Sequence, residues 1–185
     1  MASIINVDKL QSTATDGNLV VDPNGTGLFL PNRTPCFFAE LSADQTLSDN
    51  VETVIQFDNE DFDIGGIWDN SNYRLTVDAN TLGYYHISCH LLGTGSNNIE
   101  DMFARLRKNG STYIENSNSS KVVNAVASTT DAHLSFSVVI PLLNSGDYAD
   151  VTVVADRSSG GTTLINQIST SRSRTFISGF RVGGA

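Results

Sequence analysis

The sequence predicts an all-β protein, a sandwich or barrel of short antiparallel strands, on three observations. From residue 35 onward, apolar and polar residues alternate with period two in one segment after another, which in a strand sends one set to each face. Clusters of Gly, Asn, Asp and Ser separate these segments, as turns do between the strands of a sandwich. One of them, Asn109-Gly110, is the pair favoured in a type I′ hairpin turn, where both central residues need positive φ.

Taken in order, Phe37, Ala39 and Leu41 alternate with polar neighbours, and so do Val51, Thr53, Ile55 and Phe57. Tyr73, Leu75 and Val77 face one way, with Arg74, Thr76 and Asp78 opposite them. Tyr85, Ile87, Cys89 and Leu91 share one face of the next strand, while Tyr84, His86, Ser88 and His90 form its polar face. Leu134, Phe136, Val138 and Ile140 alternate with His133, Ser135, Ser137 and Val139. Val151, Val153 and Ala155 follow, and Phe176, Ser178, Phe180 and Val182 close the series. One stretch departs from this period. Ile99, Met102, Phe103 and Leu106 fall at helical spacing, with Asn98 as a cap, so pattern alone predicts a helix there.

Composition sets outer limits. At 185 residues a single domain buries roughly 70% of its unfolded surface and needs no metal or disulfide staple. A hydrophobic content of 39% with 17% charged residues excludes a disordered chain, and no apolar run approaches the ~20 residues that span a bilayer. A net charge of −9 repels nucleic acid, whose binders need basic surface. The N-terminus has no basic region followed by an apolar core, so cytoplasmic synthesis is expected. Beyond Asp156 there are no acidic residues, while Arg157, Arg172, Arg174 and Arg181 lie there. The plain reading is solvated arginines at strand ends; the sharper one is a basic patch facing an acidic patch on a second copy.

Residues 1–34 differ from the rest and read as an N-terminal attachment arm. Ile5, Val7, Leu19, Val21, Leu28 and Phe29 are too few for a core, since an isolated hairpin is marginal in water. They are also too apolar for a free tail, so they suit attachment to another protein. The order Val7-Asp8-Lys9-Leu10, Asp16-Gly17-Asn18-Leu19, Pro23-Asn24-Gly25-Thr26-Gly27 resembles the N-terminal segment of many small bacteriophage virion proteins.

Residues 35–185 carry a second resemblance. Phe37-Phe38-Ala39-Glu40-Leu41, Leu82-Gly83-Tyr84-Tyr85-His86-Ile87, Leu106-Arg107-Lys108-Asn109-Gly110, Ser145-Gly146-Asp147-Tyr148 and Thr175-Phe176-Ile177-Ser178-Gly179-Phe180 occur in that order. They resemble the globular head of complement component 1q and its tumour-necrosis-factor-like relatives. The resemblance implies a jelly-roll sandwich of two antiparallel sheets, a homotrimer, and a strand rather than a helix through Phe103–Lys108. It implies that the last strand lies near a three-fold axis, with Tyr84, His86, His90, Phe176 and Phe180 as trimer-interface candidates. Two departures stand out. The family's proline before the Gly-x-Tyr glycine is replaced here by Asp78-Ala79-Asn80-Thr81-Leu82, and no collagen-like Gly-x-y stem is present.

The residues that could carry chemistry do not converge by spacing. His86 and His90 share a strand face, but four residues at ~3.3 Å each put their Cα atoms about 13 Å apart, too far for one ion. Asp58, Glu60, Asp61, Asp63 and Asp69 form an acidic cluster without the Asp-x-Asp-x-Asp-Gly spacing of a calcium loop, and read as a solvated loop. Cys89 reads as a buried small hydrophobe; a disulfide to Cys36 is geometrically open, but cytoplasmic origin argues against it. No nucleophile elbow or phosphate loop is present. No catalytic residue, metal or cofactor is therefore expected, and no nucleic-acid or membrane partner.

The combined expectation is a non-enzymatic trimeric virion structural protein, made in the host cytoplasm and carried on the particle. Capsid decoration, in contact with the major capsid protein, is favoured because no fibre shaft separates the arm from the domain. The alternative is the receptor-binding tip of a tail or fibre, in contact with a tail protein. A secreted complement- or cytokine-like module comes third, since it needs a signal peptide.

Overall fold

The structure, a computed structural model, describes residues 34–95, 99–116, 130–157, 162–166 and 175–184. The attachment arm expected over residues 1–34 thus lies almost wholly outside the described residues. Those described contain strands and no helix. In chain order the strands are β1 (Cys36–Glu40), β2 (Gln45–Ser48), β3 (Thr53–Val54), β4 (Asn59–Ile64), β5 (Trp68–Asp69), β6 (Arg74–Thr76) and β7 (Gly83–Gly95). They continue with β8 (Ile99–Lys108), β9 (Ser111–Asn116), β10 (Thr130–Leu142), β11 (Tyr148–Arg157), β12 (Thr162–Ile165) and β13 (Phe176–Gly184).

These strands form two antiparallel sheets. In the first, β7 is flanked by β10 on one side and by β13 and β12 on the other, and the order runs on from β13 through β1 to β4, with β2 beyond β12. In the second, β11 pairs with β8, β6 and β3, while β9 and β5 extend it. The period-two positions meet between the sheets. Phe37, Ala39, Tyr85, Ile87, Cys89, Leu91, Ile140 and Ile177 come from the first, and Leu75, Ala104, Leu106, Val151, Val153 and Ala155 from the second. Trp68 closes one end, its ring stacked 4.7 Å from Phe37 and edge-on to Phe57 at 6.4 Å. The expected two-sheet jelly roll is what forms. Alternation misses two positions: Val51 lies outside the strands and is 49% exposed, and Tyr73 sits in a turn with φ 56°.

The helical spacing at Ile99–Leu106 belongs to a strand with a bulge. In the pairing of β8 with β11, Ile99 lies opposite Arg157 and Asp101 opposite Asp156, so Glu100 is an extra residue. The inserted residue turns a two-residue step into a three-residue one. Ile99, Met102, Ala104 and Leu106 therefore all face the core, and the step from Ile99 to Met102 imitates a helical turn.

The hairpin turn at Asn109-Gly110 has φ of 51° and 78°, as a type I′ turn requires. It is tied to the loop before β11: Asn109 Nδ2 donates to Asp147 Oδ1 at 2.9 Å, and the Tyr148 amide donates to Asn109 Oδ1 at 2.9 Å. Ahead of β7, where the resemblance leads one to expect a proline, a side-chain-bonded turn stands instead. Asp78 Oδ1 accepts from the Asn80 amide at 2.9 Å and from Thr81 Oγ1 at 2.8 Å. Hydrogen bonds thus fix a corner that a ring would otherwise restrict.

Candidate functional site

The strands of the first sheet turn one face to the core and the other outward. On β13, Ile177 and Gly179 point inward, so Phe176, Ser178, Phe180 and Val182 take the outer face. On β7 the outer set is Tyr84, His86, Ser88 and His90. The five interface candidates, Tyr84, His86, His90, Phe176 and Phe180, therefore lie together on one face. Register then brings in residues that sequence reasoning missed. Phe38 of β1 lies opposite Ser178 and Phe62, and His133, Ser137 and Val139 of β10 flank β7. The outward alternation of Phe38 against Phe37 was a local signal; that β4 and β10 border this face was not readable locally.

The face mixes aromatic rings with imidazoles and hydroxyls, and its rings touch in rows. Phe62, Phe38, Phe176, His90 and His133 run across five strands, with successive ring centroids 6.3, 5.3, 5.9 and 5.8 Å apart. In a second row the His86 ring lies 5.1 Å from Phe180, and its Nε2 is 2.7 Å from Ser137 Oγ. Such ring pairs add stabilisation beyond the area they cover. Much of the surface stays open: Phe62, Ile64, Tyr84, Val139, Phe180 and Val182 are each between 43% and 52% exposed.

The second sheet is built differently. Arg105 is held between Glu52 and Glu115 at 3.1 and 2.6 Å. Arg107 donates two hydrogen bonds to Asp150, at 2.8 and 2.6 Å, and this bonding to the carboxylate raises the pKa of its guanidinium. Arg74 lies over the Tyr148 ring at 4.1 Å. Among the described residues, every ion pair involves a residue of this sheet or of its strand ends. None lies on the outer face of the first.

The other candidate constellations separate in space into local tasks. Asp58 accepts from the amide and hydroxyl of Ser42, Asp63 from the amides of Ile67 and Trp68, and Asp69 from those of Ser71 and Asn72. Glu60 accepts from Asn70. The cluster is therefore not the solvated loop expected: Glu60, Asp61 and Asp63 lie on strand β4, where pairing with β1 extends the chain, and Asp63 and Asp69 brace the turns that follow. His90 and His133 bring two imidazoles together across the strands, but among the described residues no group of three potential ligands gathers around an ion. Cys36 and Cys89 are both free, and burial pushes the Cys89 thiol far up, away from the reactive thiolate.

Arg157 corrects the reading of solvated arginines at strand ends. Arg157 is 4% exposed. Its Nε donates to Thr163 Oγ1 at 2.9 Å, its Nη1 and Nη2 are buried without a hydrogen-bond partner, and burial lowers its pKa against the opposing pull of Asp49. The fold places it there because position 157 continues the inward face of β11. Arg181 reaches the carbonyls of Asn80 and Leu82 at 3.4 and 3.3 Å. Arg172 and Arg174 lie outside the described residues, as do Ile5, Val7, Leu19, Val21, Leu28 and Phe29.

No family model matches the chain, and no curated protein matches it by sequence. Solved structures match its fold. The globular domain of zebrafish complement 1qA is similar at 15% identity, over 83% of this chain and 100% of that one, with a TM-score of 0.50. Eiger TNF from S. frugiperda is similar at 12% identity, over 83% and 94% of the two chains, with a TM-score of 0.50. Murine APRIL is similar at 13% identity, over 81% and 100%, with a TM-score of 0.50. At these identities the likeness is one of fold, the complement-1q and tumour-necrosis-factor jelly roll.

Proposed function

We propose that this chain is a non-enzymatic structural protein that self-associates as a homotrimer through the outer face of its first sheet. Residues 1–34 attach it to a bacteriophage particle, as a capsid decoration or cement protein bound to the major capsid protein. One observation carries the assembly: the described ion pairs all serve the second sheet, while the first leaves six large apolar side chains about half exposed. Monomers rarely keep such a surface in water, and further copies arranged in a ring bury it through heterologous contacts. Trimers rather than dimers fit the jelly rolls the chain resembles. The virion role rests on the N-terminal segment's likeness to phage virion proteins, and repeated copies of one exposed face suit a protein that works by multivalent contact.

Light scattering of the full chain at micromolar concentration tests the assembly; a trimer mass is expected, and a monomer mass defeats it. Deleting residues 1–34 is expected to leave a folded trimer that no longer joins particles. Particles lacking the protein are expected to assemble yet withstand heat or low salt less well. Robust particles that fail to adsorb to cells would instead identify the receptor-binding tip of a tail or fibre.

A further inference from the structure

We infer that association through this face is acid-sensitive: protonation of His86 separates the copies. The inference rests on the assembly proposed above and adds its regulation. The chain has three histidines, and all three lie on the outer face of the first sheet, His86 and His90 on β7 and His133 on β10. Histidine as a residue type is the one whose ordinary chemistry can change charge near neutral pH.

The surroundings of His86 suit the neutral ring. His86 packs on Phe180, and its one described polar contact is the Ser137 hydroxyl. The residues in register with it across the sheet are Cys36, Phe180 and Val139, with no carboxylate among them. His90 sits between the Phe176 and His133 rings. The other titratable or charged groups near this face are Tyr84 on β7, Cys36 and Glu40 on β1, Glu60 and Asp61 on β4, Arg181 on β13, and Asp131 on β10. Glu40 accepts from Asn59 and lies in register with Phe176. Glu60 bonds Asn70, and Arg181 points at the carbonyls before β7. Asp131 precedes His133 by two residues; its side chain is outside the described residues. None of the strand positions beside His86 supplies a counter-charge.

When a second copy covers this face, a neutral imidazole keeps its hydrogen bond, but an imidazolium is desolvated against apolar surface without a partner. The assembled state therefore binds fewer protons than the separated chains, and association weakens as pH falls. A tenfold penalty at each of three His86 residues weakens the trimer about 1,000-fold.

Sedimentation of the full chain at about pH 8, 6.5 and 5, spanning the imidazole range, tests this. The wild type is expected to be a trimer at the highest pH and a folded monomer at the lowest, with unchanged circular dichroism. His86→Gln, which keeps a hydrogen-bonding group beside Ser137, and the triple His86→Gln/His90→Gln/His133→Gln variant are expected to hold the trimer further into acid. A wild type trimeric throughout overturns the inference while leaving the assembly standing, and so do variants that dissociate at the wild-type pH. A monomer at every pH overturns both. If the triple variant does not fold, the single His86→Gln comparison still decides.

Discussion

Gly179 is the position where the outer face depends most directly on a missing side chain. It lies in β13 between Phe37 of β1 and Ile87 of β7. A Cβ there would sit 2.7 Å from Ile87 Cδ1, 2.8 Å from Phe37 Cε1 and 2.9 Å from the His86 carbonyl oxygen. Ile87 and Phe37 are essentially fully buried, and the Phe37 ring is pinned against Trp68. The His86 oxygen is backbone within the β7–β13 ladder. None of the three yields cheaply. Overpacking of this kind costs about 1–3 kcal/mol, and three simultaneous contacts argue for the upper end. The alanine recovers roughly 0.5–1 kcal/mol through the unfolded chain. Gly179→Ala is thus expected to lose about 2 kcal/mol, or about 4–8 °C in Tm for a domain of this size. Gly183→Ala, in the same strand with nothing within 4 Å of its Cβ, is expected to stay within about 0.5 kcal/mol of wild type. Thermal and denaturant unfolding at one fixed protomer concentration measures both, because assembly makes apparent stability concentration-dependent. Equal stabilities for the two variants would refute the reasoning.

Two further outcomes follow. Phe180→Asp puts a charge at a site 47% exposed in the protomer, so folding should lose less than about 1 kcal/mol while sedimentation shows monomers; an unchanged trimer would place the interface elsewhere. Asp147 is 6% exposed; burial alone would raise its carboxyl pKa, but hydrogen bonds from Asn109, the Asn144 amide, Lys108 and the Leu143 amide outweigh it and hold the pKa well below the usual range. A depressed carboxylate stabilises the fold above its unfolded pKa of about 3.9 and loses that contribution as pH falls through its folded value. Asp147→Asn should therefore cost about 2–4 kcal/mol at neutral pH and progressively less below about pH 4, as denaturant midpoints against pH would record; a constant difference would refute the account.

What could be read in the sequence was whatever depends on neighbours along the chain. Period-two alternation located the inward faces of β1, β7, β10 and β11, and Asn109-Gly110 marked its turn, because both signals sit within a few residues. The Ile99–Leu106 stretch misled because a bulge and a helical turn leave the same three-residue apolar step. Half of the candidate face stayed hidden for another reason. Tyr84, His86, His90, Phe176 and Phe180 come from two strands that resemblance made neighbours, whereas Phe38, Phe62 and His133 join them only through the order β4–β1–β13–β7–β10. Arg157 was hidden by its own chemistry: charge argues for solvent, and only the continued inward face of β11 buries it.

The contrast between the two outer faces also bears on why such an assembly would close rather than grow. Cross-strand charge pairs are a ready way to keep a sheet face in water, at roughly 0.2–1 kcal/mol each, and the second sheet uses them around Arg105 and Arg107. The first spends the same register positions on stacked rings. Their mutual contacts restrain them before any partner arrives, which lowers the entropy lost on docking. A sheet with such a face risks continuing edge to edge as well as pairing face to face. Two edges of the described sheet counter the first mode. β4 carries Glu60, Asp61 and Asp63 within six residues, charges that discourage a further strand. β10, paired only with β7 among the described strands, carries Pro141, which lacks the amide a new ladder would need. With those two edges blunted, copies meet through the rows of rings rather than by extending the sheet there, and such contact gives a closed oligomer rather than a fibre where the rotation between copies closes on itself.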